Sequence, residues 1–71
     1  MDYRPVASSS IADVAYEPST STLGIRFHAG REYLYFSVPR CVYEELLVAD
    51  SVGRYFNQRV RSAAYPYERL R

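Results

Sequence analysis

Three stretches in the first half of the chain are rich in residues that favour β-strands, and the second of them alternates hydrophobic and polar residues, which is typical of a strand with one buried face. They cover residues 11–17, 22–28 and 31–38. In the second stretch, Leu23, Ile25 and Phe27 fall on one face. Residues suited to turns separate the stretches: Pro18 has the fixed φ of a turn position, and Gly30 closes the second connection. We therefore predict an antiparallel β-meander of three strands.

Two helices are predicted after the strands. Pro39 suits a first helical position, because its missing N–H would have no partner there. Apolar residues then recur at helical spacing up to Ala49. Ser51 is the expected N-cap of a second helix, which ends at residues 65–67. The apolar stripe of this second helix comprises Val52, Phe56, Val60 and Ala63.

The predicted fold class is therefore α+β: a three-stranded antiparallel β-meander followed by two α-helices packed on one face of the sheet. Residues 1–10 are polar and are expected to form an N-terminal arm, and residues 11–71 a single domain.

The register of the second hairpin decides which aromatic residues face the helices. A two-residue type I′ loop would require a positive φ at an alanine, whereas a three-residue loop requires it only at Gly30. We favour the longer loop, which directs Tyr33 and Tyr35 toward the helices and Leu34 and Phe36 toward the opposite face. The expected cross-strand pairs are Ile25 with Tyr33 and Leu23 with Tyr35.

This register predicts both the core and a second apolar surface. The expected core residues are Leu23, Ile25, Phe27, Tyr33, Tyr35, Leu46, Leu47, Phe56 and Val60. Leu34 and Phe36 would lie on a sheet face that no helix covers, and exposed apolar patches usually mark interfaces. We therefore predict self-association or a protein partner at Leu34 and Phe36. The alternative is that the N-terminal arm folds back over this face.

Composition adds few constraints on function. The chain has 71 residues, with eight tyrosines and no tryptophan, and a net charge of +1 that gives no overall attraction to nucleic acid. Cys41 is the only cysteine, so no internal disulfide and no cysteine-based metal cluster can form. The sequence has no signal peptide and no apolar run of about 18 residues, so we expect a cytoplasmic protein with no membrane segment.

The chain resembles the KTSC domain along nearly its whole length. The matching residues include Leu23-Gly24-Ile25-Arg26-Phe27, Tyr33-Leu34-Tyr35, Val38-Pro39, Tyr55-Phe56-Asn57 and Tyr65-Pro66-Tyr67. Ala15 departs from the family pattern, which usually has glycine there. The family is named for its appearance at the C-terminus of some lysyl-tRNA synthetases, and it also occurs as a stand-alone bacterial protein. The resemblance implies a link to RNA and supplies no catalytic residue.

Catalytic chemistry has little support in the sequence. His28 lies in a predicted turn, and nothing places it beside Cys41 as a base. Glu44 and Glu45 are adjacent and point about 100° apart on a helix, so they form no general acid/base pair. There is no phosphate-binding loop and no metal-ligand spacing. We expect no enzymatic activity, no cofactor and no metal.

The end of the chain combines positive charge with aromatic rings. The residues concerned are Arg54, Tyr55, Arg59, Arg61 and Tyr67, and such mixtures bind single-stranded nucleic acids. On a helical wheel, Arg54 and Arg61 fall within about 20° of each other on the solvent face. Arginines late in a helix also complement its dipole without any ligand.

We therefore expect a non-catalytic interaction module of the KTSC type that self-associates or binds a protein partner. The alternative is a weak, sequence-tolerant, tRNA-associated RNA-binding module that uses the second helix and the tail after it.

Overall fold

A single antiparallel sheet of five strands organises the protein, and its strands follow one another in chain order. The computed structural model describes all 71 residues. The strands are β1 (Arg4–Pro5), β2 (Ile11–Glu17), β3 (Thr22–Phe27), β4 (Glu32–Tyr35) and β5 (Tyr67–Arg69). The α+β class with an antiparallel sheet and two helices is confirmed. The prediction of three strands is wrong, because β1 and β5 add one strand to each edge.

The two additional strands are short, which explains why the sequence pattern did not indicate them. β1 has two residues and β5 has three. A run of two or three residues is too short for an alternating pattern to stand out. Tertiary pairing creates these strands: Arg4 pairs with Val14, and Tyr67 pairs with Tyr35.

The hairpin between β3 and β4 has the predicted register. Leu23 pairs with Tyr35 and Ile25 pairs with Tyr33. Gly30 adopts a φ of 99°, and its N–H donates to the carbonyl of the last residue of β3 at 2.9 Å. The third predicted strand was expected to continue to residue 38, but β4 ends at Tyr35. The chain leaves the strand there, since Ser37 has a φ of 59°.

Both predicted helices are present. Helix α1 spans Arg40–Val48, and Pro39 is its N-cap rather than its first helical residue. Helix α2 spans Val52–Phe56, and the Ser51 hydroxyl accepts a hydrogen bond from the Arg54 N–H at 3.3 Å, as an N-cap should.

Helix α2 continues into a π-helical turn at Asn57–Arg61. The N–H of Ser62 donates to the carbonyl of Asn57 at 3.1 Å, five residues earlier. Because a π turn contains more residues than an α turn, the residues after Phe56 rotate away from the positions expected on an α-helical wheel. The helix ends at Arg61, so Ala63, predicted to continue the apolar stripe, lies in the following turn and is exposed.

The core lies between the sheet and the helices. Of the residues predicted for it, Phe27, Tyr33 and Leu47 are half-buried at its border. The remaining six are buried: Leu23, Ile25, Tyr35, Leu46, Phe56 and Val60. Further buried hydrophobic residues that the prediction did not include are Ile11, Val14, Ala15, Val38 and Val52.

The opposite face of the sheet carries part of the N-terminal arm. Tyr3 lies over Gly24, so closely that a Cβ added to Gly24 would be 2.9 Å from the Tyr3 Cζ atom. The Arg26 guanidinium lies over the Tyr3 ring, 3.7 Å from its centroid. Asp13 and Glu32 hold that guanidinium from either side, at 3.6 and 3.2 Å. The middle of this face is therefore covered by the chain itself.

Candidate functional site

An aromatic cleft opens where β4 and β5 meet the end of the π-helical turn. Its volume is about 380 Å³. Most of its lining is hydrophobic, and two arginines complete it. The lining residues are Phe27, Arg31, Tyr33, Tyr35, Phe56, Arg61, Ala64, Tyr65 and Tyr67.

The sheet and a sharp change of chain direction position the aromatic rings. Ala64 adopts a φ of 59°, and the chain then returns to pair β5 with β4. This pairing places Tyr67 opposite Tyr35, with their ring centroids 5.6 Å apart. Tyr33 meets Tyr67 edge to face at 5.9 Å, and Phe56 meets Tyr35 in the same way at 5.6 Å. Packed rings of this kind form a preorganised surface on which a planar ligand can stack.

Exposure increases from the floor of the cleft to its rim. Tyr35 is 6% exposed, whereas Tyr67 is 62% exposed. Burial raises the pKa of the Tyr35 hydroxyl, and the neighbouring Tyr33 adds to this rise, while Arg61 opposes it. The Tyr35 hydroxyl is therefore protonated at neutral pH and available as a hydrogen-bond donor.

The charge of the cleft is purely positive. No carboxylate lines it, and neither Arg31 nor Arg61 takes part in an ion pair. The Arg31 guanidinium lies 5.8 Å from the centroid of the Phe27 ring. Two unpaired guanidinium groups beside exposed rings can bind an anionic group while a ring system stacks below them.

The structure divides the residues that the sequence grouped as a nucleic-acid site. Arg61 and Tyr67 lie together in the cleft. Arg54 lies in a separate polar hollow with Ser10, Asp50 and other residues.

Tyr55 and Arg59 lie outside the cleft. Tyr55 is half-buried and donates a hydrogen bond to Glu45 Oε1 at 2.6 Å, so its ring is tied to α1 rather than free to stack. Arg59 is exposed and close enough to Tyr55 to affect its pKa. The π-helical turn explains the division, since Arg61 no longer shares a face with Arg54.

Sequence reasoning did not assign Arg31, Tyr33 and Tyr35 to a site. The hairpin register predicted correctly that the two tyrosines face the helices, but residues on that face were interpreted only as core. Their site role depends on β5, whose return past Ala64 opens the cleft beside them. The sequence feature that could have indicated this site is the number of tyrosines before and after the two helices.

The predicted interface residues Leu34 and Phe36 are both half-buried; Leu34 lies on the opposite sheet face, and Phe36 follows the end of β4. Leu34 pairs with Gly24, the residue beneath Tyr3. Leu70 is 46% exposed and follows β5, where its N–H donates to the Glu32 carbonyl at 2.8 Å. The apolar area left open on this face is therefore smaller than the sequence suggested.

The remaining candidate residues from the sequence are His28 and Cys41. The His28 ring bonds the Ser8 carbonyl at 2.9 Å, and Cys41 is exposed. No cluster of three or more histidine, cysteine or acidic side chains could hold a metal ion. None of the helices has the length and apolar character needed to cross a membrane.

Comparison with known proteins gives a consistent result. A family model described as the KTSC domain matches residues 7–65. A protein from Tsukamurella paurometabola is 43% identical over 58 residues, covering 82% of this chain and 87% of the relative. The crystal structure of a KTSC domain protein from Yersinia pestis superposes with a TM-score of 0.90 at 28% identity, covering 99% of this chain and 97% of that one.

A second kind of relative is much longer than this chain. The lysine–tRNA ligase of a Nostoc species is 44% identical over 62 residues, which is 87% of this chain and 11% of the ligase. The similarity to that enzyme is therefore confined to a small part of it.

Proposed function

The chain belongs to the KTSC domain family, and we propose that it is a non-catalytic binding module that holds unpaired RNA in the aromatic cleft. The observation that carries this proposal is the combination of packed aromatic rings, with Tyr67 exposed at the rim, and Arg31 and Arg61 in a cleft that contains no carboxylate. Stacking of a base on an aromatic ring contributes about 1–3 kcal/mol and tolerates any base sequence. The arginines add attraction to phosphate.

RNA is favoured over other polyanions by the relatives. Lysine–tRNA ligases, which are named for tRNA, contain a segment similar to this chain. A stacking site needs unpaired bases, because bases within a duplex do not present their faces. We therefore infer that the ligand is a single-stranded segment, such as a loop or an end.

The proposed binding is weak and modestly salt-dependent. Each phosphate contact on a single strand contributes a log–log salt slope of about −0.7, so two arginines predict a slope of about −1.4. Few contacts and no base-specific readout predict micromolar affinity with little sequence preference.

The test is fluorescence anisotropy with a labelled, unpaired RNA oligonucleotide over a range of salt concentrations. The double variant Arg31→Gln/Arg61→Gln should lose most of the salt slope, and Tyr67→Ala should weaken binding with the slope unchanged. Arg54→Gln is the matched control, because it removes an exposed arginine outside the cleft and should change neither quantity. Absence of binding at about 50 mM salt, or equal losses in the control, would exclude the cleft as an RNA site.

Self-association through Leu34 and Phe36 is the second candidate. It is supported by their partial exposure and by Leu70, which follows β5 and is 46% exposed. It ranks behind RNA binding because Tyr3 and Arg26 already cover the middle of that face.

A further inference from the structure

The floor of the aromatic cleft contains a polar group without a partner in the protein. Tyr35 is 6% exposed, yet its hydroxyl takes part in no hydrogen bond, unlike those of Tyr16 and Tyr55, which donate to Val38 O and Glu45 Oε1, each at 2.6 Å. No fully buried side-chain nitrogen or oxygen in the protein lacks a partner. The Tyr35 hydroxyl therefore reaches the open volume of the cleft, while its ring is enclosed.

We propose that the cleft is a site for one nucleotide, in which a single unpaired base hydrogen-bonds the Tyr35 hydroxyl and Arg31 and Arg61 bind the adjoining phosphate. This inference rests on the proposed function and specifies its ligand. It places the base against the floor, the exposed Tyr67 ring at the rim and the phosphate outside.

The size of the cleft supports a single nucleotide. Its volume of about 380 Å³ lies near the lower end of the range of about 300–1,000 Å³ that small-molecule sites occupy. Tyr35, Tyr67 and Phe56 close it on adjacent sides, with ring centroids 5.6 Å apart from Tyr35 to each of the other two. Neighbouring nucleotides of a strand would therefore lie outside, where few further contacts are available.

The chemistry of the floor suits a base edge. A tyrosine hydroxyl can donate one hydrogen bond and accept others, so it can serve the edge of any base. The same hydroxyl could therefore bind different bases, which agrees with a low preference for the RNA sequence. A tyrosine ordinarily loses its proton only near pH 10, and burial raises the pKa of Tyr35 further, so the hydroxyl keeps its proton and its donor role at neutral pH.

Nucleoside monophosphates test the inference directly. AMP and UMP should displace the labelled RNA oligonucleotide, and inorganic phosphate at the same concentration should not. Tyr35→Phe deletes only the hydroxyl, so it should weaken AMP binding about five-fold, the effect of one neutral hydrogen bond, with melting temperature and salt slope unchanged. Tyr43→Phe is the control, because that ring stacks on Tyr16 outside the cleft and its loss of a hydroxyl should not alter AMP binding.

The outcomes separate this inference from the proposed function. If RNA binds but neither monophosphate competes, or if Tyr35→Phe binds AMP as well as the wild type, the one-nucleotide site is wrong and the RNA-binding proposal stands. If inorganic phosphate competes as well as AMP, the arginines form a phosphate site only. If RNA itself does not bind, both proposals are wrong.

Discussion

Gly24 occupies a position where the lack of a side chain is required by close packing rather than by backbone conformation. It lies inside β3, and the Tyr3 ring takes the space that a Cβ would fill. The same ring carries the Arg26 guanidinium at 3.7 Å, a geometry that stabilises by about 0.5–1 kcal/mol where it is partly exposed. The absence of a side chain at Gly24 thus allows the Tyr3 ring to lie against the sheet.

Gly24→Ala should destabilise the protein by about 1–3 kcal/mol, because the added methyl group forces Tyr3 off the sheet. The measurement is urea denaturation followed by circular dichroism. In a Tyr3→Ala background the same change should cost nothing or should stabilise slightly, since alanine is preferred to glycine in a strand. An equal loss in both backgrounds would show that Tyr3 is not the group displaced.

Several residue-level features could be predicted from the sequence alone. Gly30 was the one residue in the second hairpin suited to a positive φ, and that choice predicted which way Tyr33 and Tyr35 point. The lack of a hydrogen-bond partner for the Tyr35 hydroxyl could not be predicted, because it depends on whether any other element supplies one. Only the packed structure answers that question.

At the level of elements, one hydrogen bond joins the two helices. The Tyr55 hydroxyl on α2 donates to Glu45 on α1 at 2.6 Å. Burial, followed by the interaction with the Glu45 carboxylate, raises the pKa of Tyr55 to about 12. A tyrosine in the unfolded chain has a pKa of about 10. The hydroxyl therefore keeps its proton in the folded protein at pH values where the unfolded chain has lost it.

This difference predicts a loss of stability at alkaline pH. Below about pH 10 both states hold the proton; between about pH 10 and pH 12 the unfolded state binds fewer protons, so the free energy of unfolding falls as pH rises. Tyr55→Phe lacks this contribution, so its deficit relative to wild type should shrink over that interval in urea titrations. Tyr43→Phe, whose hydroxyl makes no hydrogen bond, is the control. A deficit for Tyr55→Phe that stays constant with pH would contradict the assignment.

How well each element could be predicted depends on how clearly the local sequence marks it and on whether it needs contacts distant in the chain. β2 begins and ends at the predicted residues, because three serines precede it and the turn residue Pro18 follows it. The π-helical turn was not predicted, since the spacing of Phe56 and Val60 fits an α-helix equally well. For the same reason the wheel placed Arg54 and Arg61 on one face, and the structure separates them.

At the level of the whole molecule, the sheet has one face under the helices and one face partly covered by the arm. The first arrangement was predicted from the sequence. The cleft was not, because it requires β5 to return to β4 after both helices, and the pairing of Tyr67 with Tyr35 joins positions far apart in the chain. Long-range pairing of this kind leaves no local pattern.

If the second face is an interface, the double variant Leu34→Arg/Phe36→Glu should abolish self-association and leave the fold intact. Light scattering at several hundred micromolar protein measures the first, and circular dichroism the second. Val48→Arg is a suitable control, because Val48 is 81% exposed on α1, away from this face. A monomeric wild type at that concentration would exclude this face as a self-association surface.

The edges of the sheet have a consequence for aggregation. An unpaired edge strand is a template on which further strands can add, and proteins limit this with short strands, proline and charge. β1 offers only two residues, one of them Pro5, which has no N–H to donate. β5 offers three residues, and two of them, Glu68 and Arg69, are charged. Both ends of the sheet therefore resist the addition of further strands, so the molecule can expose a tyrosine-rich cleft without inviting fibrillar growth.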